Sequence, residues 1–549
     1  MTAATATTGR PVAVPGSASV VRAFTARRTV RGGLLWGLVL GAYVTSSAVG
    51  YAALAPTDAE RSRVLAGLAA NPGLAALIGR PGDLGTAAGF VDWRSTGVAG
   101  LVVAVWSLLT ATRVLRGEED AGRWELLATG RTTRRGATAQ ALAGLAAPLG
   151  ALFAAVTLVT AAVGARADLH VGPGRAALFG LGVTLVAAVF AGVGALAAQL
   201  AGTRGRAVGL ALGVFGVAFA ARAAGDAAPA VGWLADVSPL GWVERAHALH
   251  DPRPAWLVPP ALLTAVLVAA TLALAARDVG AGVWGDRDTA RPRLALLGGP
   301  LPLAVRLTRG PAVAWALGAA ALGVLYGSVS SAAADAFASS PTLQRFGSAF
   351  TSQARTEGAR LFAGVVFLVL MTIGLAYAAA AAGAIRRDEA LGLAENLLVR
   401  PLGRARWLTG RAVLAAALLV LVVLAGTAGF ALTGRTAGGP GVPDLAAAAL
   451  NAAAPGVLLL GIGVLVLGVA PRATARVAYG LLAWSFLLEM LASAVDLPAV
   501  VRGTSLLHHV ALAPAVPVHW APVAAYLGLA VVTAAVGVRG LVRRDLSGE

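Results

Sequence analysis

Gly117-Glu-Glu-Asp-Ala-Gly-Arg-Trp-Glu-Leu-Leu-Ala-Thr-Gly-Arg-Thr-Thr-Arg-Arg135 is a charged run set between two long apolar ones. Moved 270 residues along the chain, it falls on the run from Arg387 to Arg404, where Glu119, Gly122, Glu125, Leu127 and Arg134 meet Glu389, Gly392, Glu395, Leu397 and Arg404. A displacement of about half of the 549 residues reads as an internal duplication with one such segment per half. Each copy has the spacing of a short amphipathic helix. Ala121, Trp124 and Leu127 or Ala128 make one apolar face; Ala390 or Leu391, Ala394 and Leu397 or Leu398 make the other. The carboxylates, Glu118, Glu119 and Glu125 in the first copy and Glu389 and Glu395 in the second, are assigned to the opposite face. Gly122 and Gly392 are read as places where another backbone comes close. The expected picture is a helix on the membrane surface that offers its acids to a cytoplasmic partner.

Composition sets the class. Hydrophobic residues make up 58% of the chain and charged ones only 13%, against about a quarter in soluble domains. Apolar runs near the length of a bilayer crossing recur throughout, so an all-α polytopic membrane protein is expected. There is no cysteine, which excludes disulfides and thiol chemistry. All 44 basic residues are arginine, so the chain has no lysine for a Walker A loop and cannot hydrolyse ATP by that route. No metal or other cofactor of its own is expected. The arginine and alanine bias points to a GC-rich bacterium.

Twelve spans are expected. Six fall at about 34–54, 95–114, 137–164, 175–200, 207–224 and 257–276, and six more at about 312–330, 360–384, 412–433, 446–470, 477–495 and 521–538. The chain then divides into a cytoplasmic segment 1–33 with a surface helix over Arg22–Arg31, a first half 34–276, a linker 277–311, a second half 312–538 and a tail 539–549. With both termini inside, 30 of the 44 arginines fall on cytoplasmic segments, as the positive-inside rule requires. The net charge of +18 is thus read as topology and not as nucleic-acid binding. Six spans return the chain to its starting side, so the halves are parallel repeats about an axis along the membrane normal.

Two further marks repeat. Span six ends in Arg277-Asp278 and span twelve near Arg544-Asp545. Before those spans, Pro239-Leu-Gly-Trp242 echoes Pro517-Val-His-Trp520, and each is expected as a short helix dipping into the outer leaflet.

These residues resemble a family. Six spans per half, the Glu-x-x-Gly-x-x-Glu-x-Leu segment between spans two and three, and the Pro-x-x-Trp element look like an ABC-2 type permease. The fused form is similar to the actinobacterial "exporter of polyketide antibiotics" permeases, over nearly the whole chain. The resemblance implies that the repeated segments are coupling helices docking on a separate ABC ATPase. That role would fall on Glu118, Glu119, Gly122, Arg123 and Glu125, and on Glu389, Gly392 and Glu395. Leu393 stands where the first copy has Arg123, so the two docks are expected to differ. One chain would serve two ATPase subunits, which carry the ATP and Mg2+, and would export hydrophobic or amphipathic compounds across the cell membrane.

Two charges fall inside apolar runs, Arg222 in span five and Glu489 in span eleven. Such charges are functional candidates by default. The displacement of 270 puts Glu489 at position 219, one turn from Arg222, and the architecture implied by the resemblance suggests a gate formed between them. The bland readings are a snorkelling arginine and a protonated core carboxyl. Rival functions are a secondary transporter, which would want more buried charges, and a membrane glycosyltransferase using Asp58, Glu60 and Asp92.

Overall fold

The structure is a computed structural model that describes residues 17–53, 79–124, 133–166, 169–277, 282–284, 294–328, 358–434, 439–492 and 498–545, with a few single positions between 62 and 78 and at 330–331. Among these residues the regular structure is helical, and eleven helices are long and apolar enough to cross a membrane. The chain forms two compact units, residues 1–290 and 291–549.

The first unit is built from α1 (Ser17–Ala53), α2 (Ala87–Thr112), α3 (Arg134–Gly164), α4 (Pro173–Leu200), α5 (Arg204–Ala227) and α6 (Val258–Leu274). The second is built from α7 (Pro300–Ser328), α8 (Gly358–Ala390), α9 (Arg404–Thr433), α10 (Val442–Val469), α11 (Thr474–Ala492) and α12 (Trp520–Arg543). α11 is not one of the eleven. It occupies the place of the expected span at 477–495, whose last residues lie outside the described ones.

Helix starts are marked by side chains that satisfy the open backbone amides. Thr86, Thr133 and Thr203 accept from the amides of Gly89, Gly136 and Arg206 ahead of α2, α3 and α5. Two expected boundaries move. The basic stretch Arg22–Arg31 is the first half of α1 and not a separate surface helix, and α7 begins at Pro300, inside the expected linker. Pro311 does not stop α7.

Within each unit the same helices, counted in order, pack together: first on third, second on fourth, third on fourth, and fourth on fifth and sixth. The second and fourth are the most buried, joining Val103, Ala104 and Leu108 to Val186, Val189 and Phe190 in the first unit. With no hydrophobic drive between helices in lipid, close approach of small residues supplies the packing. A Cβ on Gly33 of α1 would lie 2.0 Å from the Pro148 carbonyl oxygen of α3, and one on Gly323 of α7 would lie 2.0 Å from that of Gly426 in α9.

Candidate functional site

At the C-terminal end of α2 the helix runs through a π turn, Arg113–Gly117, into Glu118–Asp120 and stops. α8 stops the same way after Ala390. The stop is made by Gly122 and Gly392, at φ 71° and 69°, in the left-handed region that disfavours a side chain. Their amides donate to the carbonyls of Glu119 and Glu389 at 2.9 and 3.0 Å. Space is not the reason for these glycines. A Cβ on Gly122 would meet nothing within 4 Å, and one on Gly392 only the Glu395 carboxylate at 3.9 Å. Among the described residues no backbone of this chain comes within 4 Å of a Cβ at either position.

The acids before those glycines turn inward. Glu119 accepts two hydrogen bonds from Arg277, Nη1 to Oε1 at 2.9 Å and Nη2 to Oε2 at 2.7 Å, with Arg116 at 3.2 Å. Glu389 accepts the same pair from Arg544, at 2.6 and 2.9 Å, with Arg386 at 3.3 Å. The arginines are further tied. Arg277 donates to the Ala198 carbonyl near the end of α4 at 3.2 Å, and Arg544 to that of Leu467 near the end of α10 at 2.9 Å. The carbonyl of Arg277 accepts from Arg134 at 2.9 Å, and that of Arg544 from Arg404 at 2.7 Å. Each unit thus has a clasp joining the ends of its second, fourth and sixth helices to the start of its third.

The planar guanidinium suits this work, since its fork matches a carboxylate edge to edge and leaves donors for carbonyls. The side chain of Glu389 is fully buried and that of Glu119 is 8% exposed. The acidic face expected to point at the cytoplasm is therefore corrected for both glutamates. Desolvation demands the partner: a buried carboxylate without a cation would cost several kcal/mol. Glu118 is also engaged, accepting from Arg28 of α1 at 2.9 Å and from Arg123. Glu125 and Leu127 lie outside the described residues.

What remains on the surface is different chemistry. The short helix Leu393–Leu398 packs Ala394, Leu397 and Leu398 against Trp407, Leu408 and Leu541. Its other side shows Glu395 and Asn396, flanked by exposed Leu391, Leu393 and Val399. Of the alternatives Ala390 and Leu391 for that apolar face, Ala390 is half-buried and Leu391 exposed, and Ala121 of the first face is exposed too. Apolar grooves border both segments. One of about 400 Å³ runs between Phe24 and Arg28 of α1 and Arg123 and Trp124, and one of about 870 Å³ between Leu303 of α7 and Leu393 and Asn396.

The intramembrane charges find partners inside their own units. Arg222 is fully buried and does not snorkel. It pairs with Asp226 one turn on, Nε to Oδ2 at 3.0 Å, and with Glu244, Nη2 to Oε1 at 3.0 Å. Glu489 accepts from the Ser505 hydroxyl at 3.1 Å. A mutual pair is thus not needed to offset their burial. Burial pushes the Glu244 carboxyl, on the short helix Pro239–Arg245, up to about 7, against the pull of Arg222. Asp226 was legible from its i+4 spacing; Glu244, 22 residues away, was not.

The two Pro-x-x-Trp elements do not correspond. Pro239 opens a seven-residue helix containing Trp242, whereas Pro517 is in an extended stretch and Trp520 is the first residue of α12. Trp256 lies in the turn Pro254–Leu257 before α6. The pattern that matches Pro239–Arg245 is one of burial. Ser238, Leu240, Val243, Ala246 and Ala248 are buried, as are Ser505, Leu507, Val510, Ala513 and Ala515, each 267 residues later. Of the residues raised for a glycosyltransferase, Asp58 and Glu60 lie outside the described ones, and Asp92 is buried against His250.

Eleven bilayer-length apolar helices, packed through small residues and tied by buried arginine–carboxylate pairs, define a multi-pass helical membrane protein. A family model described as the C-terminal domain of the multidrug efflux system permease Rv1217c matches residues 25–276 and 297–541, and the chain belongs to that family of efflux permeases. It is 28% identical over 492 residues to the multidrug efflux system permease protein Rv1217c of Mycobacterium tuberculosis, a match covering 87% of this chain and 85% of that one.

Proposed function

We propose that this chain is the membrane-spanning subunit of an ATP-driven exporter in the bacterial cell membrane. In this reading it crosses the bilayer twelve times as two parallel six-helix repeats, with both termini in the cytoplasm. Two copies of a separate ABC ATPase supply ATP and Mg2+, and the cargo is hydrophobic or amphipathic. The observation that carries the reading is the clasp made twice. The same ion pair, the same left-handed glycine and the same carbonyl ties recur in each unit at the same end. One end of a helical membrane protein is worth building identically in both halves if both halves meet copies of one partner there.

In this reading the clasp is mechanical. It couples the docking segment to the ends of four helices, so that a displacement of the segment reaches the unit as a whole. The docking surface itself is Glu395, Asn396, Leu391, Leu393 and Val399 in the second unit. In the first it is the stretch from Asp120 to Arg123 with the groove beside Phe24. Arginine placement orients this end to the cytoplasm. The relative's printed name, a multidrug efflux permease, supports a broad apolar cargo range.

The test is to co-express the chain with the ABC ATPase encoded beside it and reconstitute both in vesicles. The expected result is a native mass of one permease per two ATPases, and ATP hydrolysis stimulated by apolar drugs. Two permease chains per ATPase pair, or drug movement that follows an ion gradient and ignores ATP, would overturn the proposal.

A further inference from the structure

The geometry points to a zinc-type metal site at the end of the first unit opposite the clasp, made by Asp92, His247 and His250. It does not rest on the transport reading. Asp92 sits in the second turn of α2, and the two histidines on the connection between Pro239–Arg245 and α6. One carboxylate oxygen of Asp92 and one ring nitrogen of each histidine all lie within 4.8 Å of one another. A tetrahedral ion with bonds of about 2.1 Å holds its ligands roughly 3.4 Å apart, so the set has about an ångström to close.

The surroundings are those of a ligand set. Asp92 is 3% exposed, and its Oδ1 accepts from Thr96 at 2.9 Å, which fixes the carboxylate. Its Oδ2 meets His250 Nδ1 at 3.0 Å and the Leu249 amide at 3.4 Å. A cavity of about 20 Å³ is bordered by Asp92, His247, His250 and Glu244, the volume of one water or one ion. Arg80 also borders it, but its guanidinium is spent on the carbonyls of Gly225 and Asp226, at 2.8 and 3.0 Å. The backbone bends to present the ligands: His247 holds φ 42°, and a Cβ on Gly82 would sit 3.0 Å from His250 Nε2. Both histidines also line an open polar cavity of about 880 Å³, which leaves a way in and a fourth position for water.

Two imidazoles with one carboxylate suit a first-row divalent ion such as zinc, and not calcium or magnesium, which want oxygen alone. The ion would replace the proton between His250 and Asp92 and tie the start of α2 to the loop before α6.

The test uses the full chain, purified without a histidine tag, stripped with chelator, equilibrated with Zn2+ and passed through a desalting column. About one zinc per chain is expected by mass spectrometry. His247→Ala and His250→Ala should each weaken retention about tenfold or more, while His508→Ala, at the adjacent histidine pair of the second unit, should not. Co2+ in place of Zn2+ should give the strong visible bands of a four-coordinate ion, lost in His247→Ala. Asp92→Asn is read alongside as a ligand change that keeps the shape. Wild-type protein that retains no zinc overturns the site. So does retention at the wild-type level in all three ligand variants, or a loss that His508→Ala shares.

Discussion

At one end of the first unit Glu119 is gripped by Arg277, and at the same end of the second Glu389 is gripped by Arg544, through the same pairs of atoms and with matching carbonyl ties. At the opposite end the first unit buries Arg222 with Asp226 and Glu244, while the second has Glu489 on a serine and Ala511 where Glu244 would fall. The difference separates two kinds of buried charge. The clasp is repeated because both units must stop their second helix at the same place and bind the stop to the same neighbours. The other end is free to differ, and there, among the described residues, the first unit alone buries an arginine between two carboxylates.

The largest expected effect comes from breaking one clasp. Glu389→Ala strands Arg544 in a buried site and should lower stability by about 3–5 kcal/mol, read as a fall in melting temperature of the detergent-solubilised protein. Glu119→Ala should cost somewhat less, since its side chain is 8% exposed where that of Glu389 is 0%. Exchanging charges, Glu389→Arg with Arg544→Glu, should recover part of the loss; if it recovers none, the pairing is not what the carboxylate contributes.

The charged end should show itself in pH dependence. The Glu244 carboxyl rises from its ordinary 4.5 to about 7 in the folded state. Between those values the folded protein holds a proton that the unfolded chain has lost. The contribution is therefore present at low pH and declines as pH rises through that window, by at most about 1.4 kcal/mol per pH unit. Glu244→Gln, neutral throughout, should flatten the slope. An unchanged slope would show that Glu244 is ionised in the fold.

Smaller and equal effects are expected at the two stops. Gly122→Ala and Gly392→Ala each place a side chain at positive φ, costing about 1–2 kcal/mol in either unit. Unequal losses would mean that the two segments are not held alike. The smallest effect on stability belongs to Glu395→Arg, on an exposed helix face, within about 0.5 kcal/mol. Its effect should fall on drug-stimulated ATP hydrolysis by the reconstituted complex, which it should reduce. Normal coupling would remove that face from the docking surface.

Much of this was written locally. Bilayer-length apolar runs had to become helices, because lipid offers no partner for an open backbone amide. The doubled segment was legible from Glu119, Gly122 and Arg134 recurring as Glu389, Gly392 and Arg404, and from the arginine that ends each half. The glycine position was legible too, although its reason was a left-handed stop and not a close approach. The two Pro-x-x-Trp elements share letters but not local structure, a helix after Pro239 and an extended stretch at Pro517. Five buried positions in Ser238–Ala248 have buried counterparts 267 residues on in Ser505–Ala515, and such small and aliphatic residues look alike everywhere in such a chain.

The sequence by itself determined the class, the places where most spans lie and the residues that recur. Only the tertiary structure decided which way the charges face. Glu119 meets an arginine 158 residues on, and Glu389 one 155 residues on. His250 likewise meets Asp92 across 158 residues. Periodicity reports a residue's neighbours within a few turns. Whether an acid serves as a surface label or a buried tie depends on the helix that packing brings beside it.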